Sequence, residues 1–277
     1  MEENQISKTL DFHSLGYKKI LLAEDVEFNQ YIASQMLESW GFEVTVANNG
    51  IEVLKFMETE NFDCILMDIQ MPEMGGIETA QRIRRLQVPG KASIPIIAVT
   101  ANALKGDCEK YMAAGMSDFL PKPFEEAQLF QVISRNLMKN GCKSGESDQN
   151  DQKIHTLTLR GKPDKLYDLS MVRSVSGGDD EFIKKMVLLF IETVPQNVDE
   201  LNKALKNENW DQVSKMAHKL KSTIDSMGII SLKTDIRTVE ANAKQKESLQ
   251  LLPSLASKIE MVINDCIKQL NEEILQS

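Results

Sequence analysis

The sequence predicts an α/β doubly wound five-stranded parallel sheet followed by an all-α antiparallel four-helix bundle. Three observations carry this. Short apolar runs alternate with amphipathic helical stretches five times within about 120 residues, the signature of β/α units. A polar, aperiodic stretch then interrupts the pattern near Asn140. From Asp168 onward only helical periodicity remains, in four long segments with short connections.

The predicted strands are Ile20–Ala23, Glu43–Ala47, Cys64–Met67, Ile96–Val99 and Asp118–Leu120. Helical patterns fill the intervals: Phe28–Trp40, Ile51–Glu58, Gly76–Leu86, Ala103–Ala113 and Glu125–Leu137. Right-handed crossovers place the carboxyl ends of all five strands on one rim. The run Asn140–Asp151 is small and polar and reads as part of a flexible linker. Ile154–Leu159 alternates apolar and polar residues, so a short strand is compatible with it. Asp179-Asp180-Glu181 supplies a cap and first-turn charge to a helix carrying Phe182, Met186, Leu189 and Phe190. Pro195 is expected to restart or kink that helix. The next helix runs from about Trp210 to Met227 and stops at Gly228. Two more follow, near Ser231–Lys244 and Leu251–Glu273. The expected division is a leader over 1–17, an α/β domain over 18–139, a linker over 140–165 and a helical domain over 166–277.

At 277 residues the chain has room for two cores. Its charged content of 26% and hydrophobic content of 42% are those of an ordinary soluble protein. A net charge of −9 argues against a nucleic-acid partner. The four cysteines, Cys64, Cys108, Cys142 and Cys266, show no CxxC pairing and no histidine at metal-ligand spacing, so a reduced, cytoplasmic setting is expected. No apolar stretch is long enough to span a membrane, and the acidic start Met1-Glu2-Glu3 does not resemble a signal peptide.

Polar groups gather at the strand ends. Glu24 and Asp25 follow the first strand, Asp68 the third, Thr100 the fourth and Lys122 the fifth. The carboxyl edge of an open α/β sheet is where sites form. Three crowded carboxylates repel unless a cation sits among them, and Mg²⁺ takes hard oxygen ligands of this kind. With the charge neutralised, Asp68 is an anionic nucleophile suited to phosphorus. Phosphoryl transfer then needs positioning and electrostatics, for which Lys122 offers a cation, Thr100 a hydroxyl and Ala101 a backbone N–H. An acid at one strand end is commonly just a helix cap; four such groups in this order are not.

The stretches Leu21-Leu22-Ala23-Glu24-Asp25, Met67-Asp68-Ile69-Gln70-Met71-Pro72, Val99-Thr100-Ala101-Asn102-Ala103 and Leu120-Pro121-Lys122-Pro123 resemble those of a response-regulator receiver domain, a flavodoxin-like fold. The resemblance covers 18–139. It implies that Asp68 accepts a phosphoryl group, that Glu24, Asp25 and Asp68 hold Mg²⁺, and that the backbone carbonyl of Gln70 completes the protein ligands. It also implies that Phe119 is the aromatic switch residue that moves when Thr100 turns toward the phosphate, and that the acyl phosphate slowly hydrolyses itself. Asn29 and Gln70-Met71-Pro72 are similar to receivers attached to hybrid sensor kinases. Gly75 departs from the family pattern, which has Asp before the glycine at 76.

In the helical domain, Val213, Ala217, Leu220, Ile224 and Met227 recur as a core stripe. His218, Lys221, Ser222 and Asp225 form a second stripe, offset by about a quarter turn and expected to be exposed. His218 is a competent nucleophile near neutral pH. Lys221 can neutralise phosphate oxygens, and Ser222 is small where a partner must approach. Ala217-His218-Lys219-Leu220-Lys221-Ser222 with Gly228 resembles the histidine-phosphotransfer (HPt) motif, with Ser222 where the family commonly has Gly.

No Gly-rich nucleotide loop and no basic helix-turn-helix segment is present. A phosphoryl group must therefore arrive from elsewhere. The resemblance implies a histidine kinase upstream and the receiver domain of a response regulator downstream, as at the C-terminal end of a hybrid sensor histidine kinase. Whether the chain counts as an enzyme is left open. Two rivals are weighed. In one, the receiver is a phosphorylation-dependent binding switch and the bundle only docks. In the other, the carboxylates serve a phosphatase of the haloacid-dehalogenase type, which places a second Asp where this chain has Gln70.

Overall fold

The computed structural model describes residues 11–88, 90–101, 105–139, 165–176 and 178–274. The linker reading over 140–165, except for its last residue, the strand reading at Ile154–Leu159 and the helix start at Ala103 lie outside them. The chain divides into two compact units, Met1–Ser144 and Gly145–Ser277.

In the first unit, strands β1 (Lys19–Ala23), β2 (Glu43–Ala47), β3 (Cys64–Asp68), β4 (Ile96–Thr100) and β5 (Asp118–Pro121) form one parallel sheet in the order β2-β1-β3-β4-β5. Helices α1 (Glu27–Ser39), α2 (Gly50–Thr59), α3 (Gly76–Arg84), α4 (Lys105–Ala113) and α5 (Glu126–Lys139) connect the strands or follow them. The residues of β3 and β4 are buried throughout, as expected of central strands covered on both faces. The edge strand β2 is buried only at Ala47. β1 pairs with β3 so that Ala23 faces Met67, and β3 with β4 so that Asp68 faces Val99. That register brings the ends of β1, β3 and β4 to one level.

Local chemistry fixes the helix starts. Asn49 caps α2 by accepting from the N–H groups of Ile51 and Glu52, each at 3.0 Å. Gly76 opens α3 directly under the end of β3. A Cβ there would lie 2.2 Å from the Asp68 carbonyl oxygen, so only glycine fits. Gly75 has an ordinary extended backbone and no such requirement. Residues 11–17, expected to lie outside the receiver, reach it through Phe12. Its ring stacks on Trp40 at 5.4 Å and meets Phe130 edge-on at 5.0 Å.

The second unit contains a short helix α6 (Ser170–Ser176), absent from the sequence reading, and four long ones. These are α7 (Asp180–Lys206), α8 (Trp210–Ser226), α9 (Lys233–Gln245) and α10 (Leu252–Ile274). Helix α7 runs through Pro195 as one element rather than restarting there. The ring lacks an N–H and so removes one ladder bond, but Phe190, Val194, Val198 and Leu201 are buried on either side of it and packing holds the helix together. Asp179 and Asn209 cap α7 and α8 through their side chains. Beyond α8, Gly228 takes a φ of 61°, and a Cβ there would meet the Asp168 carbonyl at 2.6 Å. The stop signal thus also admits the incoming chain. Among the described residues, no helix is long and apolar enough to cross a membrane.

Candidate functional site

The first site is built by strand ends. Glu24 and Asp25 follow β1 and Asp68 ends β3; Glu24 and Asp68 are 3% and 2% exposed. Ligand oxygens of Glu24, Asp25 and Asp68 lie within 4.8 Å of one another. Lys122, beyond β5, sends its Nζ between two of them. It donates to Asp68 Oδ2 at 2.6 Å and to Glu24 Oε2. Asp68 Oδ1 accepts from the Gln70 N–H at 3.0 Å. Glu24 Oε1 accepts from Asn29 Nδ2 at 2.9 Å and from the Val26 N–H at 3.3 Å.

The electrostatics follow from this crowding. Burial pushes the Glu24 carboxyl up to about 7, with Lys122 opposing and Asp68 adding to the rise. Burial works against the Lys122 charge, yet Asp68 and Glu24 outweigh it and raise its pKa. A cluster with three carboxylates and one ammonium still carries excess negative charge, and its donors are all hard oxygens. The residues present therefore fit a hard divalent cation such as Mg²⁺.

Thr100 closes β4 and is 3% exposed. Its Oγ1 lies 3.1 Å from the hydroxyl of Tyr111, a residue the sequence reading did not single out. Ala101 follows it, half-buried. Phe119, on β5 opposite Ala98, packs against the receiver core. Lys122-Pro123 is a cis peptide.

The second site lies between α8 and α9. The core stripe of α8 is as read: Val213, Ala217, Leu220, Ile224 and Met227 are all buried. The second stripe is not exposed as expected. His218 is only 8% exposed and Lys221 7%. A stripe offset by a quarter turn from the core faces the neighbouring helix rather than solvent, and α9 covers it. Ser222 is half-buried, its hydroxyl donating to the Lys219 carbonyl at 3.0 Å.

Glu240 of α9 organises this site and was missed. Its Oε1 lies 2.7 Å from His218 Nδ1, and its Oε2 accepts from Lys221 Nζ. Burial alone would raise the Glu240 carboxyl, but the hydrogen bonds and charges of His218 and Lys221 overcome it and bring it down to about 2. An ionised carboxylate only accepts, so Nδ1 carries a proton, and whenever the ring is neutral Nε2 keeps its lone pair. One turn away, Arg237 pairs with Asp225. A signal was available: as α8 recedes from Asp225 to Lys221, α9 advances from Arg237 to Glu240, so opposite charges face each other in antiparallel order.

Comparison with known proteins adds three findings. The model of the response regulator receiver domain matches residues 20–134, and that of the Hpt domain matches 185–274. The signal transduction histidine-protein kinase BarA of Escherichia coli (strain K12) is 26% identical over 255 residues, covering 91% of this chain and 27% of that protein. Hybrid signal transduction histidine kinase I of Dictyostelium discoideum is 39% identical over 143 residues, covering 50% of this chain and 8% of that protein. The chain thus spans 27% or less of these relatives' length. Among solved structures, the receiver domain of sensor histidine kinase PA1611 from Pseudomonas aeruginosa PAO1 is 40% identical, covering 44% of this chain and 98% of that one, with a TM-score of 0.41. That protein is described with a magnesium ion coordinated in its active site cleft.

Proposed function

We propose that this chain, which carries a response regulator receiver domain followed by an Hpt domain, works as a phosphorelay protein of a multistep two-component system. The observation that carries the reading is Asp68: a buried carboxylate beside Glu24 and Asp25, gripped by Lys122 Nζ and the Gln70 N–H. Such a group is oriented by two donors and backed by a cation, the positioning and charge compensation that phosphoryl transfer needs.

In the first transfer Asp68 attacks the phosphorus of a kinase phosphohistidine. An O–P bond forms, the P–N bond breaks, and the departing imidazole takes up a proton. Glu24, Asp25, Asp68 and the Gln70 carbonyl would hold Mg²⁺, which would neutralise the carboxylates and the phosphoryl oxygens. Lys122 Nζ, which lies against Asp68 Oδ2, supplies a cation to the phosphoryl oxygens that arrive on Asp68. The Thr100 hydroxyl and the Ala101 N–H are the donors for the remaining phosphoryl oxygens, and Phe119 is the aromatic that follows Thr100.

In the second transfer Nε2 of His218 exchanges a phosphoryl group with a receiver aspartate, either Asp68 or that of a downstream response regulator. An N–P bond forms as the acyl-phosphate O–P bond breaks, and the carboxylate is restored. Nδ1–H stays on Glu240, whose charge balances the imidazolium that forms. Lys221 lies beside the same carboxylate and supplies a cation to the arriving phosphoryl group, with Ser222 leaving room for the partner. The donor is a histidine kinase, the final acceptor a response-regulator receiver domain, and the setting the cytoplasm.

Phosphorylation by a small acyl phosphate with Mg²⁺ tests the acceptor assignment. Intact mass should show one added phosphoryl group, stable in acid and lost in base, on the unaltered chain and none of that kind on Asp68→Asn. An acid-stable, base-labile adduct that persists in Asp68→Asn would contradict it.

A further inference from the structure

We infer that Tyr111 is a positioning residue of the receiver chemistry: its phenol holds the Thr100 hydroxyl on the α4 side, and that hydroxyl must exchange this partner for a phosphoryl oxygen on Asp68. The inference rests on the reading of Asp68 as the acceptor.

The geometry is specific. Thr100 Oγ1 and Tyr111 Oη are 3.1 Å apart, and both residues are buried, at 3% and 4% exposure. Either hydroxyl can be the donor. Water has little access to the pair, and a hydrogen bond in such surroundings is stronger than one in water. The hydrogen bonds to the Asp68 carboxylate come from Lys122 Nζ and the Gln70 N–H, so among the described residues Thr100 is not engaged there. Its hydroxyl stands one residue past the strand position facing Asp68, bound to a helix instead.

Tyr111 is also the anchor of that helix. Of the α4 side chains from 106 to 113, Tyr111 is the one that is buried; Gly106, Glu109, Lys110, Met112 and Ala113 are exposed, and Asp107 and Cys108 are half-buried. Its ring belongs to the receiver core with Ile96, Ala98 and Met116, and Phe119 packs against the same cluster. Phe119 has no hydroxyl, whereas Tyr111 gives Thr100 a polar link to α4. A Thr100 hydroxyl that turns to a phosphoryl oxygen gives up this bond, and the change is felt by the side chain that seats α4 in the core.

The bond competes with the phosphorylated arrangement, so removing it should favour the adduct. The test is a four-chain comparison in full-length protein carrying His218→Gln, which blocks onward transfer. To that background are added Tyr111→Phe, Thr100→Ala, or both. Each is treated with a sub-saturating acyl phosphate and Mg²⁺, and the occupancy of the Asp68 adduct is read by intact mass. With Thr100 present, Tyr111→Phe should raise the ratio of phosphorylated to free protein about fivefold, the population shift one net hydrogen bond supports. With Thr100→Ala, the same change should do nothing. An equal effect in both backgrounds, no effect, or a fall in occupancy would overturn the inference alone. No adduct in any chain would overturn the acceptor reading and the inference with it. Should Tyr111→Phe fail to fold, the Cζ resonance of ¹³C-labelled Tyr111 replaces occupancy as the readout. It should shift on phosphorylation when Thr100 is present and stay in place in Thr100→Ala.

Discussion

Lys122 shows how each side chain here is held by its neighbours. Its ammonium is the cation lying between two buried carboxylates, so Lys122→Met leaves Glu24 and Asp68 unpaired. Breaking a buried pair in this way costs about 3–5 kcal/mol. Mg²⁺ supplies the missing charge, so the loss should be large in chelator and smaller with the metal present, read as urea midpoints of receiver unfolding. An equal loss in both conditions would count against a cation site at Glu24, Asp25 and Asp68. Glu240 makes the corresponding prediction for the bundle. Its carboxyl is depressed to about 2 from an ordinary value near 4.5. A depressed acid stabilises the fold above its unfolded pKa and loses that contribution as pH falls toward its folded one. The stability difference between the unaltered chain and Glu240→Gln should therefore shrink as pH falls from about 4.5 toward 2. Lys221 and His218 are the charged or titratable partners facing it. Chemical denaturation across that range decides it. The residues of the first site were legible because each ends an apolar run. Glu240 and Tyr111 were not, because their partners lie 22 and 11 residues away and depend on how helices pack.

At the scale of elements, caps and close approaches carry the predictions. Asn209 accepts from the Gln212 N–H at 3.2 Å and starts the helix that bears His218. Asn209→Ala should destabilise the bundle by about 1 kcal/mol, the ordinary worth of an N-cap, while leaving the His218–Glu240 pairing intact. A shifted urea midpoint with unchanged His218 ring resonances is the expected result. Gly76→Ala should be worse than Gly75→Ala, because its methyl would enter the Asp68 carbonyl. A cost of about 1–3 kcal/mol is typical of such overpacking, and here it falls on the strand that ends in Asp68. Strand positions were legible because β-branched and apolar runs are short and bounded. Helix α6 was not, since seven residues leave too little periodicity to read. The outward placement of His218 followed from one helix considered alone. Packing on α9 makes the second stripe an inner face.

At the scale of the whole chain, two compact units each carry one candidate site, around Asp68 in the first and around His218 and Glu240 in the second. The receiver holds Asp68, a buried carboxyl bound by Lys122 and the Gln70 N–H. The bundle holds a nitrogen whose lone pair is freed by a carboxylate on the far side of the ring. The fold class was legible throughout, because the change from alternating runs to unbroken helical periodicity is a property of long stretches. The central claim is that a phosphoryl group passes between a receiver aspartate and His218. Its most direct measurement offers the bundle a phosphorylated receiver, either the chain's own or that of a response regulator, and follows the chemical lability of the transferred label. An acid-labile, base-stable adduct that appears on the chain and is lost in His218→Gln is the predicted result. Label that remains acid-stable and base-labile on receiver aspartates, with none on His218, would contradict it and leave the bundle as a docking module.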